Sequence, residues 1–69
     1  MSRLNLLGLN IKKYRELKGM RQVDLAVALG FSTEYITRVE RGQKFMSLRK
    51  LFQLADVLDV DFCDLTNFK

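Results

Sequence analysis

The sequence has no proline, no histidine and no tryptophan, and a single cysteine, Cys63. Each shortage excludes something. A lone cysteine cannot build an internal disulfide framework, and without histidine a structural zinc site has almost no ligands to draw on. Cys63 therefore reads as a small apolar residue. No apolar run approaches the roughly 18 residues of a membrane span. The opening MSRLNLLGLN is too short and too interrupted by polar residues for a secretory signal. There is no glycine-rich phosphate loop and no metal-spaced cluster. Asp56, Asp59, Asp61 and Asp64 lack the loop glycine and terminal glutamate of a calcium-binding EF-hand and read as caps and surface charge. The expectation is a cytoplasmic protein that is not an enzyme, needs no cofactor, takes no small-molecule substrate and touches no membrane.

What is present points elsewhere. The chain has 69 residues, which suits a single domain over 1–69, and 48% of them are hydrophobic. A chain this short buries only about 60% of its unfolded surface, so tight helix packing or oligomerisation must supply stability. The net charge is +4, unevenly placed. Residues 1–50 hold eleven Lys/Arg against four Asp/Glu, whereas residues 51–69 hold one Lys against four Asp. A basic body with an acidic end suits a face that attracts a polyanion. Ordinary solubilising charge is the plainer alternative.

Apolar periodicity near 3.6 recurs along the chain without strand-like alternation. The glycines Gly19, Gly30 and Gly42 follow apolar-periodic stretches, where helices commonly end. The spacing predicts five helices. The first covers about Leu6 to Lys18, with Asn5 as cap, Leu7, Ile11, Tyr14 and Leu17 as its buried stripe, and Gly8 arguing for a start nearer Leu9. The second covers Gln22 to Leu29, with Leu25 and Leu29 paired and Ala26 small enough for close approach. The third covers Thr33 to Arg41, capped by Ser32, burying Ile36 and Val39 and turning Thr33, Glu34, Thr37, Arg38 and Arg41 outward. The fourth covers Leu48 to Leu58, capped by Ser47, with Leu48, Leu51, Leu54, Ala55 and Leu58 inward. Asp61 caps a last short helix from Phe62 to about Thr66. The fold class expected is all-α, a compact five-helix bundle.

The stretch Gln22–Arg41, QVDLAVALGFSTEYITRVER, resembles the helix-turn-helix of the Cro/phage-repressor family, also called XRE-like. Ala26, Gly30 and the apolar seam Leu25, Leu29, Ile36 and Val39 carry the likeness. The flanks extend it. Lys18-Gly19-Met20-Arg21-Gln22 resembles the family's lead-in, Tyr35-Ile36-Thr37 with Glu40 and Gly42 its signature, and Ser47-Leu48 with Leu51, Leu54, Ala55 and Leu58 its fourth helix. The likeness covers about residues 7 to 65. Two positions depart from it: Arg21 stands where Ser or Thr is usual, and Met46 where proline is usual. Arg21 should add phosphate affinity, and Met46 leaves Phe45-Met46 as an apolar pair best read as core filler.

The resemblance implies a lambda repressor-like DNA-binding domain whose third helix enters the major groove. Ser32, Thr33, Glu34, Thr37 and Arg38 are then the base-facing positions. Arg38 suits guanine O6/N7, Glu34 suits cytosine N4, and the threonines offer a hydroxyl and a methyl. The plainer reading makes Glu34 a helix N-terminal charge and Arg38 its ion-pair partner one turn on. Gln22 would bond a phosphate and brace the third helix. Arg21, Tyr35, Arg41, Gln43 and Lys44 are the further phosphate candidates. Arg15 and Glu40 stand where the family has a partly buried ion pair.

The function expected is that of a sequence-specific transcriptional regulator, similar to small phage repressors and to controller proteins of restriction–modification systems. Such proteins bind pseudo-palindromic operators in double-stranded DNA as homodimers. Residues 61–69 are the expected dimerisation segment, with Phe62, Leu65 and Phe68 at the interface. The competing reading is a protein-interaction module, such as an antitoxin or anti-regulator, built on the same bundle. A degenerate module of that kind should lose Gln22 and the exposed basic and polar residues of the third helix, and here they remain.

Overall fold

In the computed structural model, which describes residues 2–67, five helices follow one another: α1 (Arg3–Leu17), α2 (Gln22–Leu29), α3 (Thr33–Glu40), α4 (Leu48–Leu58) and α5 (Phe62–Leu65). The expected bounds of α2 and α4 hold to the residue, and α3 stops one residue earlier, with Arg41 as its C-cap. One capping device starts three of the helices. The hydroxyls of Ser2, Ser32 and Ser47 each accept the backbone N–H three residues on, at 3.1, 3.1 and 3.3 Å. A serine there satisfies one of the donors that a helix start leaves orphaned.

The core is assembled from one or two positions per turn of each helix. Ile11, Leu25, Leu29, Ile36, Val39, Met46, Leu54, Leu58 and Leu65 form one cluster. Helix α3 packs on both α1 and α2, while α4 packs on α2 and α5. Ala26, almost fully buried, lies in the same cluster. Gly30, at φ 76°, closes α2 in the left-handed region that a side chain enters only at a cost. The Lys50 ammonium donates to the Leu29 carbonyl at 3.0 Å, placing a cation on the negative end of α2.

The structure corrects several expectations. Ser2, not Asn5, caps α1, which begins at Arg3 and carries Gly8 inside it. Gly8 is buried because the helix backbone rests on α3: a methyl there would strike the carbonyls of Val39 and Glu40. Leu17 and Leu48 are exposed, since each sits at a helix end where no neighbour overlies the apolar stripe. The Phe45-Met46 pair splits, Met46 entering the core and Phe45 turning to solvent. Leu65 is completely buried within one chain, so it is a core residue and not an interface residue. Phe68 lies outside the described residues. Asp61 occupies the cap position of α5 without a side-chain bond to the helix.

Candidate nucleic-acid interface

The second and third helices are held at a fixed angle by a buried polar cluster centred on Glu40. The Arg15 guanidinium donates Nε to Glu40 Oε2 at 2.7 Å and Nη2 to Oε1 at 3.1 Å, with both side chains almost wholly buried. Its remaining nitrogen, Nη1, donates to the Met20 carbonyl at 2.8 Å, which fastens the turn before α2. Gln22 completes the cluster. Its amide nitrogen donates to Glu40 Oε1 at 3.0 Å, and its amide oxygen accepts from the Thr37 hydroxyl at 2.9 Å. The glutamate beside Arg15 holds that guanidinium even more firmly protonated than usual. Among the described residues, no buried side-chain nitrogen or oxygen lacks a partner. That completeness matters, because a half-satisfied buried charge network is worse than an apolar one.

This cluster leaves α3 with one face bolted down and the other free. Ile36, Val39 and Glu40 point inward; Ser32, Thr33, Glu34, Arg38 and Arg41 are exposed, and Thr37 is half-buried at the margin. Glu34 and Arg38 pair across one helical turn at 2.6 Å. With eight residues, α3 is about 12 Å long, comparable to the width of the B-DNA major groove.

A cleft runs along each side of the exposed face. One, of about 420 Å³, lies towards α1 and the start of α2 and is lined by Lys12, Gln22, Thr37 and Arg41 among others. The second, of about 290 Å³, lies towards the loop after α3 and is lined by Ser32, Glu34, Tyr35, Arg38 and Lys44. That loop is fixed in place: the Tyr35 hydroxyl donates to the Phe45 carbonyl at 2.9 Å, and Met46 anchors the far side in the core. Both clefts thus carry a cation at the lip.

The positions named from sequence therefore divide. Ser32, Thr33, Glu34 and Arg38 share one accessible face, with Gln43 and Lys44 exposed on the adjoining loop. Gln22 is committed to Thr37 and Glu40, and the Thr37 hydroxyl to Gln22 and the Thr33 carbonyl. Arg21 is exposed, and its guanidinium makes a two-point pair with Asp24 at 3.0 and 3.1 Å. The arginine pulls the Asp24 carboxyl below its ordinary pKa, chiefly through the side-chain bond and then through the Arg21 backbone N–H. Sequence reasoning passed over Lys12, Asn10 and Phe52. Asn10 donates to the carbonyls of Leu65 and Asn67 at 2.9 and 3.0 Å and so ties α1 to the end of the chain. Nothing in its local sequence signals a partner 55 residues away. Among the described residues, no group of three or more His, Cys, Asp or Glu side chains is placed to hold a metal, and no helix is long and apolar enough to cross a membrane.

Comparison with known proteins agrees with this geometry. A family model described as Helix-turn-helix matches residues 11–65. The chain is 32% identical over 65 residues to an uncharacterised HTH-type transcriptional regulator, y4dJ, of Sinorhizobium fredii, covering 94% of this chain and 84% of that one. Among solved structures it is similar to the restriction–modification controller protein C.AhdI from Aeromonas hydrophila, with TM-score 0.83 and 35% identity over 90% of this chain and 94% of the other. It is also similar to SinR, a master regulator for biofilm formation, solved in complex with DNA; there the TM-score is 0.80 and the identity 32%, over 88% of this chain and 98% of the other. With the buried Arg15–Glu40 pair, the Gly30 turn and a third helix exposed along one side, these matches place the chain in the helix-turn-helix family of Cro/phage-repressor (XRE) type, whose members are non-enzymatic, DNA-binding transcriptional regulators.

Proposed function

We propose that the protein is a cytoplasmic, sequence-specific transcriptional regulator that binds a pseudo-palindromic operator as a homodimer. The observation that carries this reading is the exposed face of α3 standing between two cation-lipped clefts. With α3 in the major groove, the two sugar–phosphate strands that border the groove would run along those clefts. Ser32, Thr33, Glu34, Thr37 and Arg38 face the bases, with Thr37 at the edge of the contact because its hydroxyl is held by Gln22. Arg41 serves the strand on the α1 side. Lys44, Gln43 and Tyr35 serve the strand on the loop side. Gln22 braces α3 and meets the phosphate above it, and Arg21 reaches the same strand when its pair with Asp24 opens. Phosphate contacts set register and base contacts set sequence.

A homodimer places two such helices about 34–36 Å apart, one turn of duplex. The surface offered for it lies on α4 and α5. Phe52 stacks on Phe62 with ring centroids 4.4 Å apart, and both Phe52 and Leu48 are exposed. Residues 61–69 are the segment proposed to complete that surface. A protein-interaction module in place of a DNA reader is disfavoured by the polar and basic side chains that still occupy the exposed face of α3.

Selection of bound fragments from a random DNA pool tests the reading. The expected outcome is a palindromic consensus whose half-sites repeat at one helical turn, with binding that weakens steeply as salt rises. Failure to retain any duplex at low salt would falsify it.

A further inference from the structure

Glu34 and Arg38 lie one turn apart on the exposed face of α3, joined by a 2.6 Å contact between Glu34 Oε1 and Arg38 Nη2. That contact occupies one of the five N–H donors of the guanidinium. Both hydrogens of Nη1 and one of Nη2 stay available, and those two nitrogens form the fork that addresses guanine O6 and N7. Of the side chains lining the cleft beside Arg38, Lys44 is a second cation and Glu34 is the anion. An acid on a surface meant for a polyanion opposes binding in general, so its presence beside the reading arginine calls for a reason.

Resting on the DNA-reading role proposed above, we infer that Glu34 is a positioning residue that makes Arg38 selective. Its carboxylate aims the guanidinium fork along the exposed face and offsets the charge that Arg38 would otherwise direct at any phosphate within reach. On unrelated DNA, affinity comes almost entirely from phosphate contacts and the counterions they release. An arginine whose charge is offset contributes little there. At a matching guanine its free fork still makes two hydrogen bonds with directional requirements. Specificity is a difference of affinities, and the pair widens that difference by lowering the unwanted one. In this account Glu34 does not read a cytosine.

The test compares two duplexes of equal length, one selected by the wild-type protein from a random pool and one of scrambled sequence. Binding is measured by fluorescence anisotropy across a salt series for wild type, Glu34→Gln, Arg38→Ala and the double variant. Glutamine keeps the shape of Glu34 and removes its charge. Glu34→Gln is expected to bind the scrambled duplex more tightly, with the log–log salt slope steeper by about 0.9, the equivalent of one added phosphate contact. It is expected to bind the selected duplex more weakly, so that the ratio of the two affinities falls about tenfold, the low end of what an arginine–guanine pair discriminates. In the Arg38→Ala background the same change should raise both affinities equally, by relief of repulsion, and leave their ratio unaltered. Equal shifts on both duplexes overturn the inference. So does a change in the ratio that survives in the Arg38→Ala background, because Glu34 would then set selectivity without Arg38. A wild-type protein that binds neither duplex at low salt overturns the DNA-reading role itself, whereas wild-type binding with either of those two patterns overturns only the part given to Glu34.

Discussion

Glu40 accepts three hydrogen bonds, two from Arg15 and one from Gln22, on a side chain almost out of reach of water. Removing Arg15 leaves that charge buried with one amide to balance it. Arg15→Ala is therefore expected to lower stability by about 3–5 kcal/mol, read as a fall in urea midpoint and melting temperature, while loss of a surface pair of the Glu34–Arg38 kind costs no more than about 1 kcal/mol. An unchanged midpoint would show that the pair is solvated in solution. Asp24 carries a smaller and pH-dependent contribution. Its folded pKa is depressed by Arg21, so the stabilisation is complete above the unfolded value and disappears as pH falls through the lower folded one. Asp24→Asn should cost stability at neutral pH, and the gap to wild type should close as pH drops below about 4, the unfolded aspartate range. Much at this scale was legible in the sequence, because the family likeness put Arg15 and Glu40 together and Ser32 and Ser47 announced their helices. The Gln22–Thr37 bond was not, since it depends on how two helices roll against each other and not on any local pattern.

At the scale of elements, two backbone features set how the helices meet. Gly8 lets α1 lie directly on the carbonyls that end α3. A glycine inside a helical pattern costs stability in isolation, which by itself argues for a later helix start. The glycine instead marks a close approach, the alternative meaning such a residue carries. Gly8→Ala should destabilise by about 1–3 kcal/mol although alanine favours helix, with the loss visible in thermal melts. Asp59 ends α4 at φ 59°, a left-handed conformation taken by a residue with a Cβ. Left-handed backbone costs such a residue about 1–2 kcal/mol, and glycine gives back about 0.5–1 through its freer unfolded chain. Asp59→Gly should then raise stability by about 0.5–1 kcal/mol. Periodicity located all five helices, yet it misjudged Leu17 and Leu48, because a stripe says which face is apolar and not whether a neighbour reaches far enough along to cover it.

The whole molecule keeps its cationic and its aromatic surfaces apart. Cations line the clefts around α3, and exposed aromatic surface lies on α4 and α5. If the aromatic surface joins two copies, Phe52→Asp should shift the protein to monomer in sedimentation and weaken operator binding at least tenfold, with the melting temperature of the monomer little altered because Phe52 is half-exposed. Loss of stability without a change in mass would assign Phe52 to intramolecular packing alone. The place of Leu65 in the last helix groups it with that surface; only the folded chain shows it sealed in the core, where α5 packs on α1 and α4. The cluster around Glu40 has one further consequence at this scale. It grips α3 by Gln22, Thr37 and the buried edge, and it takes nothing from the side chains at positions 33, 34 or 38. In the role proposed above, those three side chains are the cut teeth of a key whose shank is held elsewhere. With the base-facing role proposed for them, exchanging the three as a set should leave the melting temperature nearly unchanged while altering the DNA sequence bound, a retargeting that takes three letters.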